Sequence, residues 1–137
     1  MSALRWLLLI PVAVAAWYAV FAAGLFLHVQ IERDLCPAQD MVSGFCHNEW
    51  IQLVLRVLMH LSVVVSAAAV ILGASLTAPR RKELVSWSAL AIGVSIAGYF
   101  ASITTAWSHF TAAIVGGLSG AVFIRHYQHS RAGRELN

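Results

Sequence analysis

Residues 51–77 read IQLVLRVLMHLSVVVSAAAVILGASLT, an apolar run interrupted by a single charge, Arg56, and a single histidine, His60. Such a run exceeds the ~20 residues that a helix rising 1.5 Å per residue needs to cross a ~30 Å hydrocarbon core. Its hydrophobicity is continuous where a membrane strand would alternate. Working outward, three more blocks of the same kind appear: Trp6 to Val29 before it, then Leu84 to Ile103 and Ala106 to Ile124 after it. Four strands cannot close a barrel in lipid, whereas helices satisfy their own backbone. The expected fold is an all-α membrane protein, one four-transmembrane-helix bundle over residues 1–137. Its helices fall at about 6–29, 51–77, 84–103 and 106–124, with a loop at 30–50.

Composition agrees. The 137-residue chain is 60% hydrophobic and 11% charged, with mean hydropathy +0.77. A soluble domain carries roughly a quarter of its residues charged. A water-soluble globule, a disordered tail and a nucleic-acid binder are thereby excluded. The four blocks leave no room for a soluble catalytic domain. The net charge of +3 is explained by topology and by attraction to anionic lipid, so the expected surroundings are a lipid bilayer without nucleic acid. The first block resembles a signal peptide at its start, but its apolar stretch from Trp6 to Val29 runs far past a typical ~7–15-residue h-region. It is read as a retained helix.

Seven of the nine Lys and Arg residues share one side of this topology: Arg5, Arg80, Arg81, Lys82, Arg125, Arg131 and Arg134. The positive-inside rule makes that side cytoplasmic, with both termini, and the expected location is a bacterial inner membrane. The other side carries the 30–50 loop, where Glu32, Asp34, Asp40 and Glu49 stand against Arg33. Trp6, Trp50, Trp87 and Trp107 lie near block ends, as an aromatic belt places them, while Trp17 and Tyr18 are mid-helix and read as packing residues.

Both cysteines, Cys36 and Cys46, occur in the outer loop. In an oxidising compartment their default state is a structural disulfide, stabilising by ~2–3 kcal/mol in the chain-entropy model. Thiol oxidoreductases use C-x-x-C, a spacing this pair lacks. Cys36, Cys46, His47 and His28 carry metal-ligand chemistry, but their spacing matches no zinc pattern, and no metal site is expected.

Within the second block Gln52, Arg56 and His60 recur every four residues and so share one helix face. Arg56 falls ~8 Å and His60 ~14 Å below the outer boundary. A mid-helix Arg costs at least ~2.5 kcal/mol on insertion scales, so this face turns to the bundle, to a water-filled cleft, or to the outer surface by snorkelling. At matching depth the third and fourth helices offer Tyr99 and His109, with Ser95 beneath. Gln52, Arg56, His60, Tyr99 and His109 form the candidate ligand site, for which an anion, a quinone carbonyl, or a loop acid such as Glu49 or Asp40 is a suitable partner of Arg56. No Asp or Glu lies inside any block, which argues against a carboxylate-coupled transporter. No cofactor is expected. Haem would need a second histidine at the depth of His60, and His126 and His129 read as interfacial residues.

Small residues spaced by four mark close helix contacts: Ala69 with Gly73, Gly93 with Ala97, Gly116 with Gly120. These faces serve the bundle, a second copy, or a membrane-protein partner. No nucleophile–base pair, phosphate loop or paired carboxylate is present, so no catalytic residue is assigned. The leading functional expectation is a non-enzymatic accessory, regulatory or assembly subunit of a membrane complex. The second is a small carrier, channel or lipid- or quinone-binding module around Arg56 and His60, and the third is a membrane redox protein.

Overall fold

A computed structural model describes residues 2–78 and 81–135, and side chains for 6–78 and 81–130. Arg80 of the basic set lies outside the described residues, as do the side chains of Arg5, Arg131 and Arg134. Four helices dominate: α1 (Ser2–Leu35), α2 (Glu49–Thr77), α3 (Lys82–Thr104) and α4 (Trp107–Glu135). Each holds a stretch long and apolar enough to cross a membrane. Their large side chains are broadly exposed, as at Leu7, Ile10, Ile92 and Val115, which suits lipid and not water.

The helices outrun the apolar blocks. α1 continues to Leu35 and α4 to Glu135, because hydropathy marks the span while the polar residues beyond it remain good helix formers. His28 and Glu32, one turn apart and 3.9 Å from each other, support the extra turns of α1. Pro37 stops the helix, since it has no N–H to continue the ladder and disfavours helical geometry in the residue before it. The loop is thus only residues 36–48.

That loop is structured. A 3₁₀ turn (Ala38–Asp40) leads into a two-residue hairpin, β1 (Met41–Val42) against β2 (Phe45–Cys46), with Met41 opposite Cys46 and Val42 opposite Phe45. Ser43 and Gly44, at φ 52° and 84°, make the two-residue turn, whose twist requires positive φ at both positions. The disulfide Cys36–Cys46 ties the hairpin to the end of α1. Cys46 is buried against Ile51 and Leu55, with Ile31 and Cys36 packed alongside. Asn48 caps α2, its side-chain oxygen accepting from Trp50 N–H and Ile51 N–H, while its amide donates to Asp40 at 2.8 Å.

α2 is the hub. It packs along α1, α4 and α3, and α4 also packs on α3. α1 has no extended contact with α3 or α4 among the described residues, and only 6% of its span is buried, against 28% for α4. Close helix crossings use the glycines. A Cβ at Gly24 would lie 2.5 Å from Ser62 Oγ, which brings α1 onto α2, and one at Gly116 would strike the backbone of Val64, which brings α4 onto α2. Gly120 continues that contact over Ala68 and Ile71. Leu9 packs against the buried cluster Ala74, Ala78 and Val85, which closes the terminal end of the bundle between α1 and α3.

Candidate functional site

The polar ladder is divided by the structure. Gln52 is committed to the loop, donating from Nε2 to the Cys46 carbonyl. Tyr99 stands exposed on α3 with an edge contact to Phe100, and no hydrogen bond or ring contact among the described residues joins it to the ladder. His60 and His109 do meet across the α2–α4 contact, their rings stacked at 4.6 Å. His60 Nδ1 lies 2.8 Å from the Arg56 carbonyl. Since a carbonyl only accepts, Nδ1 carries the hydrogen and Nε2 is left as the acceptor in the neutral ring. Face-to-face rings do not aim two nitrogens at one iron from opposite sides, so this pair lacks the arrangement of axial haem ligands.

Arg56 is exposed on α2, and among the described residues its guanidinium has neither an ion pair nor a hydrogen bond. The loop acids are engaged elsewhere or stand apart: Asp40 with Asn48, Glu32 with His28 and the Cys46 N–H. Arg56 lies seven residues before Val63 and eleven before Ala67, and these spacings place all three on one face. Farther along that face, Val63 and Ala67 line a cleft.

Where α1 and α3 fail to meet, a cleft of about 430 Å³ opens over α2. This is inside the ~300–1,000 Å³ range of small-molecule sites. Trp17, Phe21 and Leu25 of α1 form one wall, Gly93, Val94 and Ala97 of α3 the other, and Ser62, Ser66 and Val70 of α2 the floor, with Ile114 and Gly117 of α4 behind. The walls are almost wholly carbon. Trp17 and Phe21 stack in parallel at 5.6 Å on the α1 wall. Ser66 is buried, at 7% exposure, and its Oγ, shut off from the cleft, has no hydrogen-bond partner among the described residues. The Gly93–Ala97 pair does not close a helix contact here: a Cβ at Gly93 would meet no atom within 4 Å.

The cleft was not expected from the sequence. Its signals are present as spacings of four: Trp17 with Phe21, Ser62 with Ser66, Gly93 with Ala97. Each of these also fits ordinary helix packing, and only the missing α1–α3 contact turns them into a site. In comparison with known proteins, no family model, no curated protein and no solved structure matches the chain.

Proposed function

We propose that the protein is a non-enzymatic membrane-embedded binding module that holds a membrane-soluble molecule in the cleft between α1 and α3. The observation that carries this reading is the cleft itself: a cavity of about 430 Å³ with walls from all four helices; Arg56, without an ion pair among the described residues, lies on α2 three residues before Met59 of the lining. A filled interior is the rule in packed helices, so an open space of this size between apolar walls fits an occupant drawn from the bilayer. The basic residues at the terminal end support placing that end in the cytoplasm and the Cys36–Cys46 loop outside, in a bacterial inner membrane.

The test is retention. Protein purified in gentle detergent is expected to carry a small molecule at near one-to-one ratio by native mass spectrometry, and Gly93→Phe, which projects a ring into the cleft from a position where a Cβ meets no atom within 4 Å, is expected to lose it. Equal retention by both forms, or none by either, overturns the reading. A second reading, an accessory or assembly subunit, is favoured by one observation: Gly93 is open, and with Ala97 it presents the small-residue spacing that receives a partner helix. Gly116 and Gly120 are already used inside the bundle. On that reading Gly93→Phe releases a copurifying protein and not a small molecule.

A further inference from the structure

The packing contacts set the four helices in register, and the register locates the bilayer. Gly24 lies on Ser62 with α1 antiparallel to α2, and Gly116 lies on Val64 with α4 parallel to it. Counting back along each helix, Arg56 comes level with Gln30 of α1 and with Ser108 at the start of α4, within about one turn of the α3–α4 connection at Thr105. The His60–His109 stack, one turn below Arg56, gives the same alignment. At the other end of the short hairpin Glu83 of α3 meets Arg125 of α4 at 3.7 Å. From Glu83 to Thr104 α3 rises about 32 Å, enough for a ~30 Å hydrocarbon core and little more.

α1 and α2 outreach that hairpin on the loop side. Hydropathy puts the boundary at the start of the apolar run, near Ile51, but Ile51 and Leu55 are buried against Cys46 of the loop, and their apolar character serves that contact. Glu32, Arg33 and Asp34 of α1 all fall on the loop side of the Arg56 level. The first turns of α2, the end of α1 and the 36–48 loop therefore project beyond the α3–α4 connection, and Arg56 moves from a depth of ~8 Å to the foot of the projection. It stands about five turns before Ala74, which clusters with Val85 of α3, and so lies on the α3 side of α2.

No protein acid answers Arg56 there. Its guanidinium has neither an ion pair nor a hydrogen bond among the described residues. Glu49, the acid on the same face, is about two turns away along α2, while Asp40 is held by Asn48 and Glu32 by the Cys46 N–H. A long cationic side chain at the edge of the hydrocarbon core reaches for the headgroup layer, where the fixed oxyanions are phosphates.

We infer that the edge of the hydrocarbon core on the loop side runs at the level of Arg56 and the α3–α4 connection, and that Arg56 holds the phosphate of a phospholipid in that leaflet, on the step between the tall α1–α2 hairpin and the short α3–α4 hairpin. The chemistry recognised is a phosphate oxyanion. Its source is a lipid and not the solution, because exposed Val57 and Leu61 of α2 carry apolar surface for the chains down from the same level.

Two measurements on the full chain test this. Spin labels on cysteines introduced at exposed Leu53, Val57 and Leu61 report immersion in nanodiscs of phosphatidylcholine and phosphatidylglycerol, through the balance of oxygen and nickel-chelate accessibility. Leu53 is expected in water, Val57 at the boundary and Leu61 in hydrocarbon; all three in hydrocarbon overturns the inference. Native mass spectrometry of protein titrated with phosphatidylglycerol in detergent reads the phosphate. The natural chain and Arg56→Lys are expected to prefer phosphatidylglycerol to diacylglycerol. Arg56→Gln is expected to bind phosphatidylglycerol about five-fold more weakly, the worth of one cation at a charged surface. Equal affinity in Arg56→Gln and the natural chain overturns the inference, as does release of the lipid by excess inorganic phosphate. Gly93→Phe leaves Arg56 in place and is expected to keep this affinity, so the cleft reading and this one fail separately.

Discussion

At Gly116 and Gly93 the same residue type serves opposite purposes, and substitution separates them. An alanine Cβ at Gly116 would lie 2.8 Å from Val64 Cα and closer still to its carbonyl, so α4 must move off α2. Gly116→Ala is expected to cost at least the ~1–3 kcal/mol of an overpacked core, read as a lowered unfolding midpoint in detergent. Gly93 faces the cleft with nothing in reach, so Gly93→Ala is expected to raise stability by up to ~1 kcal/mol, through helix propensity alone. Arg56 supplies a third case. It is the one charge in its apolar run, but it has no ion pair among the described residues, and Arg56→Gln is expected to change stability by no more than ~0.5 kcal/mol. A loss of several kcal/mol in the same unfolding assay would show that the guanidinium has a partner inside the folded bundle.

Among the elements, the helices were legible and the loop was not. Continuous apolar runs report how much chain crosses lipid, and all four appear as helices, because in a membrane the backbone has few other ways to satisfy itself. Hydropathy says nothing of where a helix stops, so α1 and α4 extend past their blocks. The paired cysteines in one loop were readable as a disulfide; the hairpin beside them rests on Ser43 and Gly44 at positive φ, a two-residue signal with strands of only two residues on either side. The Gln52–Arg56–His60 spacing assigns three residues to one face of α2, and Gln52 turns to the Cys46 carbonyl because the loop folds back over the start of α2. From this geometry the loop is a unit pinned at four points: the disulfide, the Gln52 bond, the Cys46 N–H bond to Glu32, and the Asn48–Asp40 bond. Replacing both cysteines by serine is expected to remove ~2–3 kcal/mol. Amide exchange should accelerate in residues 36–48 while the interior of α2 keeps its protection; faster exchange throughout α2 would show instead that the loop holds the bundle together.

For the whole molecule, the decisive fact is which helices touch, and no hydropathy profile contains it. α2, α3 and α4 pack on one another, with α4 seated at Gly116 and Gly120, whereas α1 among the described residues has extended contact with α2 only, through Gly24 against Ser62 and Gly73 near Val12 and Ala16. The Leu9 contact ties its terminal end, so the cleft is bounded by one helix anchored at an end and along a single side. Such an arrangement lets α1 swing relative to α3 at little cost, because few buried contacts are broken, while α2 and α4 cannot separate without opening a glycine-mediated backbone contact. Both natural cysteines are in the disulfide, so introduced cysteines can be spin-labelled selectively. Labels at exposed Ala22 and Ile92 are expected to give a broad distance distribution between α1 and α3, and labels at Leu61 and Val122 a narrow one between α2 and α4. Adding the molecule that fills the cleft should narrow the first distribution and leave the second alone, since an occupant bridging both walls replaces the contact that α1 and α3 do not make. Equal widths without any occupant would show a rigid cleft, and α1 would then have to be held by more than its seam with α2.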